Sequence, residues 1–474
     1  MTLWTRFNHP AWLLLTVPLV AGACGNVSAD ADAGPDRPDA RVSDDGHAAD
    51  QPDAQTTGIV SVTVYNESGS LEQGASVVFH HGDGTVVQKL STDAHGIASS
   101  VVDAGDLVSV VRTTNQGGRQ VMTFLGVKPG DQLRSGDPHI RVNASMYGTL
   151  MVSGVVYAGA SGFSVDAGCF DGAALDENGV ATLPLFDGCH DPAGTVPLYV
   201  QARDSVGRPL AYATRPALMS GGTGSVAIAA SEWRTDFASA VISIVHAPTK
   251  VTVYPTVFVD NAPGLEVFEF NPQVAGSPQP GDNVNATVVV PRNLGTGYDH
   301  SVEEVVYTGN DQTFRLLAAR KTGALPASIS IDGARFLPYL TGRAAVGTGD
   351  AARPRLTWTS EAALDSVDGG MVHTSWYDPV AQASQEWILV VPPGTTSVQL
   401  PALPDSLAAW RPGVDASPEA PALYFVEASA IAGYDFFRQH VGTFIFYQTG
   451  RTFLPLMPLG EGDLRVTSID IAGS

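Results

Sequence analysis

Few residues in this chain combine the type and spacing that chemistry needs. His80-His81-Gly82-Asp83 is the best metal-like constellation. Neighbouring histidines on a strand point to opposite faces, so at most one shares a site with Asp83, and a polar strand end running into a Gly-Asp-Gly turn is expected there. His95 falls inside the turn Thr92-Asp93-Ala94-His95-Gly96. The aspartates between Asp30 and Asp53 invite calcium, but the prolines among them prevent a compact loop, and the Gly and terminal Glu of a hand-type site are missing. Cys169 and Cys189 have only His190 nearby and fall short of the four ligands of a structural zinc. No cofactor is called for.

No Gly-x-Ser-x-Gly elbow, His-Glu-x-x-His pair or Gly-Lys-Ser/Thr phosphate loop occurs. Two carboxylates brought together from distant strands, as in glycoside hydrolases, would leave no spacing signature among 48 acidic residues. A cryptic carboxylate hydrolase is therefore an alternative without assignable residues, and the expected role is non-enzymatic. Trp358, Trp376, Trp387 and Trp410 are four of the seven tryptophans. Aromatic platforms bind sugars by stacking, which would make these a glycan-binding face. Filling the gap between two sheets is the plainer use of such side chains.

The amino terminus gives the chain an address. Ala11–Val20 is a mostly apolar run of ten residues followed by Ala21-Gly22-Ala23-Cys24, too short for a bilayer core, which takes about 20 residues, and followed by small residues that suit a cleavage site. The segment resembles a bacterial lipoprotein signal, with Ala21 at the position where Leu is usual. That resemblance implies a cut before Cys24, a diacylglycerol on its thiol, and anchoring of the chain to a membrane, with each buried methylene contributing about 0.8 kcal/mol. The same residues satisfy the small-x-small rule of the ordinary secretory peptidase, which would leave the protein soluble. Gly25 after the cysteine is compatible with outer-membrane sorting. If Cys24 is acylated, the odd cysteine count resolves. Cys169 and Cys189, 20 residues apart, are then free to pair, closing a loop for which chain entropy gives about 3 kcal/mol.

Behind that signal, residues 24–57 carry eight aspartates against two arginines with Ala, Gly and Pro and no aromatic. Such a segment cannot bury enough apolar area to offset its ordering entropy and reads as an extended acidic tether. A net charge of −22 repels phosphate backbones, so no nucleic-acid partner is expected. A surface glycan or a protein is the partner class left open.

The elements that would position any site are strands. Fifty glycines and 32 prolines with only 16% charged residues describe short strands and many turns. At Gly58 alternation begins, with Val60, Val62 and Val64 on one face, and turn signals then recur every 8 to 12 residues, the rhythm of a sandwich. The order of strand, small-residue turn, Gly74-Ala75-Ser76-Val77-Val78-Phe79, Gly82-Asp83-Gly84 and Thr92-Asp93-Ala94-His95-Gly96 resembles the transthyretin-like or carboxypeptidase-regulatory-like domains of bacterial surface proteins, which implies architecture rather than catalysis.

Alternation resumes at Leu150–Val156, Val196–Val200 and Ser225–Ile228, and again at Val241–Val245, Ala286–Val290 and Ser328–Ile331, with residues 271–283 as a long Pro/Gly loop. Arg315, Arg320 and Lys321 are the densest basic cluster, expected to be solvated or locally paired. The last segment, with tryptophans on successive short strands and Leu400-Pro401-Ala402-Leu403-Pro404, resembles a fibronectin type III sandwich. The expected fold is all-β: a signal peptide (1–23), a lipid-anchored linker (24–57), then a string of β-sandwich modules at 58–146, 147–236, 237–350 and 351–474. An exported outer-membrane or cell-surface lipoprotein is the matching location.

Overall fold

The computed structural model describes residues 57–471 except 67–68, 115–116, 137–145, 168–169, 174, 177–178, 187–192, 220–221, 248–251, 263–264, 271–281, 293–296, 379–382, 414–415, 417, 445, 449–450 and 454–460. The export segment, the acidic tether, Cys24, Cys169, Cys189 and most of the Pro/Gly loop lie outside the described residues. The chain divides into two compact units, Met146–Arg234 and the described residues on either side of it.

Turn residues and period-2 alternation break residues 57–135 into β1 (Thr57–Val64), β2 (Ser76–His80), β3 (Val86–Ser91), β4 (Ile97–Asp103), β5 (Asp106–Thr113), β6 (Arg119–Val127) and β7 (Gln132–Ser135). β1 pairs antiparallel with β4 and parallel with β7, while the other sheet runs β3-β2-β5-β6. The inserted unit uses the same plan. β8 (Met146–Ser153), β9 (Gly162–Ala167), β10 (Phe170–Ala173), β11 (Ala181–Phe186), β12 (Thr195–Arg203), β13 (Pro209–Leu218) and β14 (Thr223–Ala227) form sheets β11-β8-β14 and β10-β9-β12-β13. Leu150, Val152, Val165, Leu183, Leu198 and Val200 fill its core. At Gly148 a Cβ would overlap the Gly222 carbonyl, so β8 and the approach to β14 need glycine there.

A third copy of the plan follows: β15 (Phe237–Val245), β16 (Thr252–Ala262), β17 (Leu265–Phe270), β18 (Val284–Pro291), β19 (Gly297–Thr308), β20 (Asp311–Thr322) and β21 (Ser328–Asp332), with orders β18-β15-β21 and β17-β16-β19-β20. In each copy the first strand pairs antiparallel with the fourth and parallel with the seventh. The carboxy-terminal segment departs from the plan. It has β22 (Leu340–Val346), β23 (Arg355–Ser360), β24 (Gly369–Asp378), β25 (Ala383–Val391), β26 (Ser397–Gln399), β27 (Ala422–Ala428), helix α1 (Gly433–Phe444), β28 (Phe446–Gln448), β29 (Arg451–Phe453) and β30 (Gly462–Ile471).

The all-β, multi-module sandwich class expected from the sequence is the class observed. The arrangement is more connected than a string, however. β17-β16-β19-β20-β30-β27-β24-β25-β6-β5-β2-β3 is one continuous sheet of twelve strands. Its two joints are the antiparallel β20–β30 pair and the parallel β25–β6 pair, the latter running from Gln385↔Arg119 to Val390↔Phe124. Separate sandwiches would leave β6, β20, β25 and β30 as edges with unpaired N–H and C=O groups, and side-by-side pairing satisfies them.

Both faces of this sheet are covered near the β25–β6 joint. On one face Val77, Phe79, Val110, Met122, Phe124, Ile388, Val390, Tyr424 and Val426 pack with Val60, Val62 and Val64 of β1 and with Phe437 and Val441 of α1. On the other, Val78, Val111, Val121, Trp387, Leu389, Leu423 and Phe425 pack with Leu356, Trp358 and Leu400 around β22-β23-β26. Strands buried on both faces read as continuous apolar runs. Gly369 and Gly370 open β24 to both layers, since a Cβ on Gly369 would strike the Phe437 ring and one on Gly370 the Phe425 ring. α1 was not expected from composition. It has Asp435 in its first turn and buries Phe437 and Val441, four residues apart, on one stripe.

Candidate functional site

The tryptophans are not a platform. Trp358, Trp376 and Trp387 are buried, Trp387 completely, and Trp376 and Trp387 pack ring against ring at 6.5 Å. Trp410 is half-buried, with the Arg119 guanidinium 5.7 Å over its ring and its indole N–H donating to the Arg112 carbonyl. A glycan face built on these residues is therefore corrected to core packing: two-sided burial of the sheet calls for large apolar side chains on both layers.

His80 and His81 diverge as strand geometry requires. His80 is wholly buried and its Nε2 lies 2.9 Å from Ser109 Oγ, whereas His81 is exposed and Asp83 accepts from the Thr85 backbone N–H and hydroxyl. Burial, with the nearby Arg353 charge adding to it, pulls His80 from 6.5 to about 4. Arg315 is inside the protein, ion-paired to buried Glu304 and stacked 3.5 Å over the Tyr339 ring, and Lys321 lies 3.5 Å from Asp463. Among the described residues no group of three or more His, Cys, Asp and Glu side chains is placed to hold a metal.

The side chains that the fold does bring together are ones sequence reading passed over. They form a polar row across four adjacent strands at the β25–β6 joint. Strand alternation puts Arg112 (β5), Gln120 (β6), Glu386 (β25) and His373 (β24) on the face that also carries Met122 and Ile388. Register sets Arg112 opposite Gln120 and Gln120 opposite Glu386. Arg112 Nε donates to Gln120 Oε1, Gln120 Nε2 donates to Glu386 Oε1, and His373 Nε2 sits 3.1 Å from Glu386 Oε2. Arg112 also donates through Nη1 to the Tyr65 carbonyl at 2.9 Å.

Charge around the imidazole is mostly negative. Burial alone would lower His373, but the Glu386 hydrogen bond and charge, with Asp470 and Glu419 behind it, outweigh burial and hold it above 6.5. Burial likewise would raise Glu386, and His373, the Gln120 amide and the Arg112 charge overcome it and hold the carboxyl below 4.5. Asp470 accepts from the Tyr424 hydroxyl at 2.9 Å. Ser375, two residues beyond His373 on the same face of β24, donates its hydroxyl to Glu419 at 2.6 Å. The Ser375 hydroxyl is thus committed to a carboxylate, and the row itself ties β5, β6, β25 and β24 together through charge-assisted hydrogen bonds. The signal that marked it was small: single polar residues, Arg112, His373 and Glu386, interrupting apolar runs.

On the opposite face a fully buried chain crosses the same joint. Ser109 Oγ is 2.8 Å from Thr123 Oγ1, which accepts the Trp387 indole N–H at 2.8 Å. His80, Ser109 and Thr123 are all fully buried, so the His–Ser contact is closed to any substrate.

These observations define an all-β protein of repeated seven-strand sandwiches, three copies of one plan followed by a carboxy-terminal segment that joins two of them into one sheet. No protein-family model matches the chain, and no curated protein matches it. Among solved structures it is similar to the Bacillus anthracis TIE protein at 14% identity and TM-score 0.14, over 58% of this chain and 50% of that one. It is similar to a tetra-tandem repeat from the extending region of a large adhesion protein at 12% identity and TM-score 0.13, over 78% and 95% of the two chains. BcpA, the major pilin subunit of Bacillus cereus, aligns at 10% identity and TM-score 0.14, over 58% and 98%. The chain thus spans half of the TIE structure. At TM-scores so low none of these carries an argument about what this chain does.

Proposed function

We propose that this chain is an exported lipoprotein, held at the outer membrane or cell surface by acyl chains on Cys24, that displays joined β-sandwich modules on an acidic tether in a non-catalytic binding or structural role. The observation that carries this reading is the Ala11–Val20 run ending at Ala21-Gly22-Ala23-Cys24. The tether of residues 24–57 supports it, since a self-repelling acidic segment extends and holds folded modules away from a membrane. Joined modules suit display: the first sandwich, next to the tether in sequence, is hydrogen-bonded through β6 to the carboxy-terminal strands. Among the described residues no helix is long and apolar enough to cross a membrane. Surface exposure is tested by treating intact Gram-negative cells expressing the full chain with protease. The reading expects digestion of membrane-fraction protein and a shift of the Cys24→Ala variant to the soluble fraction. Protease-protected wild-type protein in the soluble periplasm overturns it.

A further inference from the structure

The polar row occupies the place where the first sandwich is fastened to the carboxy-terminal strands, and all four of its members are held by one another. Glu386 is the pivot: one carboxylate oxygen takes the Gln120 amide from across the joint and the other takes His373. Gln120 in turn is oriented by Arg112, which turns its carbonyl away from the joint and its N–H toward Glu386. We propose that this row makes the β6–β25 joint pH-responsive, with the joint tightest while His373 carries a proton and Glu386 is ionised, and looser once His373 is neutral.

The charged groups that act on His373 from the neighbouring strands and the segment before β27 favour that reading. β25 supplies Glu386, β30 supplies Asp470, and the segment before β27 supplies Glu419, all carboxylates. β27 supplies Tyr424, whose hydroxyl is committed to Asp470. β6 supplies the uncharged Gln120, and the Arg112 guanidinium on β5 lies beyond it. An imidazolium here is thus surrounded by negative charge, with the one cation of the row a residue further away. A base whose pKa is raised in the folded state stabilises that state fully below its unfolded value of 6.5 and loses the contribution as pH rises through the folded value. A carboxyl whose pKa is lowered contributes above 4.5 and loses the contribution as pH falls. The joint is therefore strongest from about pH 4.5 to about 6.5 and loosens on the alkaline side.

Amide hydrogen exchange on the full chain, corrected for the intrinsic chemical rate and followed in peptides covering Arg119–Val127 and Ala383–Val391, reads the joint directly. Protection in those peptides is expected to fall several-fold between pH 6 and pH 9 in the wild type, while β8–β14 peptides hold theirs. In His373→Gln it is expected to be low and the same at both pH values. Glu386→Gln, which keeps the shape of the row, serves equally if the histidine variant does not fold. Equal protection at both pH values in the wild type, or an undiminished pH dependence in either variant, overturns the proposal.

Discussion

Arg438 of α1 closes a 2.7 Å ion pair on Asp131, in the turn between β6 and β7, with the guanidinium completely buried. The same guanidinium donates to the Gly126 carbonyl and to Asp435 at 3.1 Å, and lies 4.9 Å over the Tyr434 ring. Asp131 also accepts the Lys128 backbone N–H at 2.7 Å and the Gln439 amide at 3.3 Å. Helix α1 is thereby fixed to the first sandwich, more than 300 residues earlier in sequence.

Removing one side of that pair leaves a buried carboxylate without its counter-charge. Arg438→Met should cost about 3–5 kcal/mol, measured by urea unfolding of the full chain, and the transition of the Met146–Arg234 unit should stay where it was. Asp131→Asn, which keeps hydrogen-bonding capacity, should cost less. A loss under about 1 kcal/mol for Arg438→Met would mean that the helix is not fastened this way.

Trp387 fills the core at the joint and hydrogen-bonds Thr123 across it. Trp387→Ala should cost about 3–5 kcal/mol through the cavity it leaves. Trp387→Phe should cost about 1–3 kcal/mol, chiefly by orphaning the Thr123 hydroxyl network. Thermal unfolding of both variants checks the order. A wild-type-like Trp387→Ala would contradict the burial on which the joint depends.

Acid should act through His80. Its folded-state value of about 4 lies below the ordinary 6.5, so the neutral form belongs to the fold and stability falls as pH drops through that interval. The full effect at pH 4 is roughly 3 kcal/mol relative to neutrality. His300, lowered to about 4 first by burial and then by the Lys321 charge, acts in the same direction. Denaturation midpoints between pH 7 and pH 4 should show a slope that flattens in His80→Val; an unchanged slope would assign the acid sensitivity elsewhere.

Glu303 on β19 behaves oppositely. Burial raises its carboxyl to about 7 from 4.5, so ionisation works against the fold as pH rises. Glu303→Gln should raise Tm by about 2 °C or more at pH 8, and the gain should vanish near pH 4, where the carboxyl is protonated folded or unfolded. A variant less stable than wild type at pH 8 would point to a partner for the ionised carboxylate.

Much of the strand content was legible because period-2 alternation and turn residues are local signals: Val60, Val62 and Val64 alternate and are all buried, and Asp93 to Gly96 turns where expected. What could not be read is which strands meet. Glu386-Trp387-Ile388-Leu389-Val390-Val391 is a continuous apolar run after its first residue, the mark of a strand covered on both faces, yet nothing local says that its neighbour is Gln120-Val121-Met122-Thr123, more than 260 residues away. The repeated plan was equally hidden. β1, β8 and β15 occupy one topological position with unlike sequences, because pairing depends on backbone groups and an apolar face rather than on particular side chains. The polar row escaped notice for the same reason, since Arg112, Gln120, Glu386 and His373 become neighbours only through register.

The lipid on Cys24 is tested most directly by the intact mass of the mature protein from a Gram-negative host, read under non-reducing conditions beside Cys24→Ala. The expected mature chain begins at Cys24, carries acyl mass absent from the variant, and lacks two hydrogens for a Cys169–Cys189 bond. A mature chain with an unmodified Cys24 would contradict it and leave a secreted protein with a spare thiol.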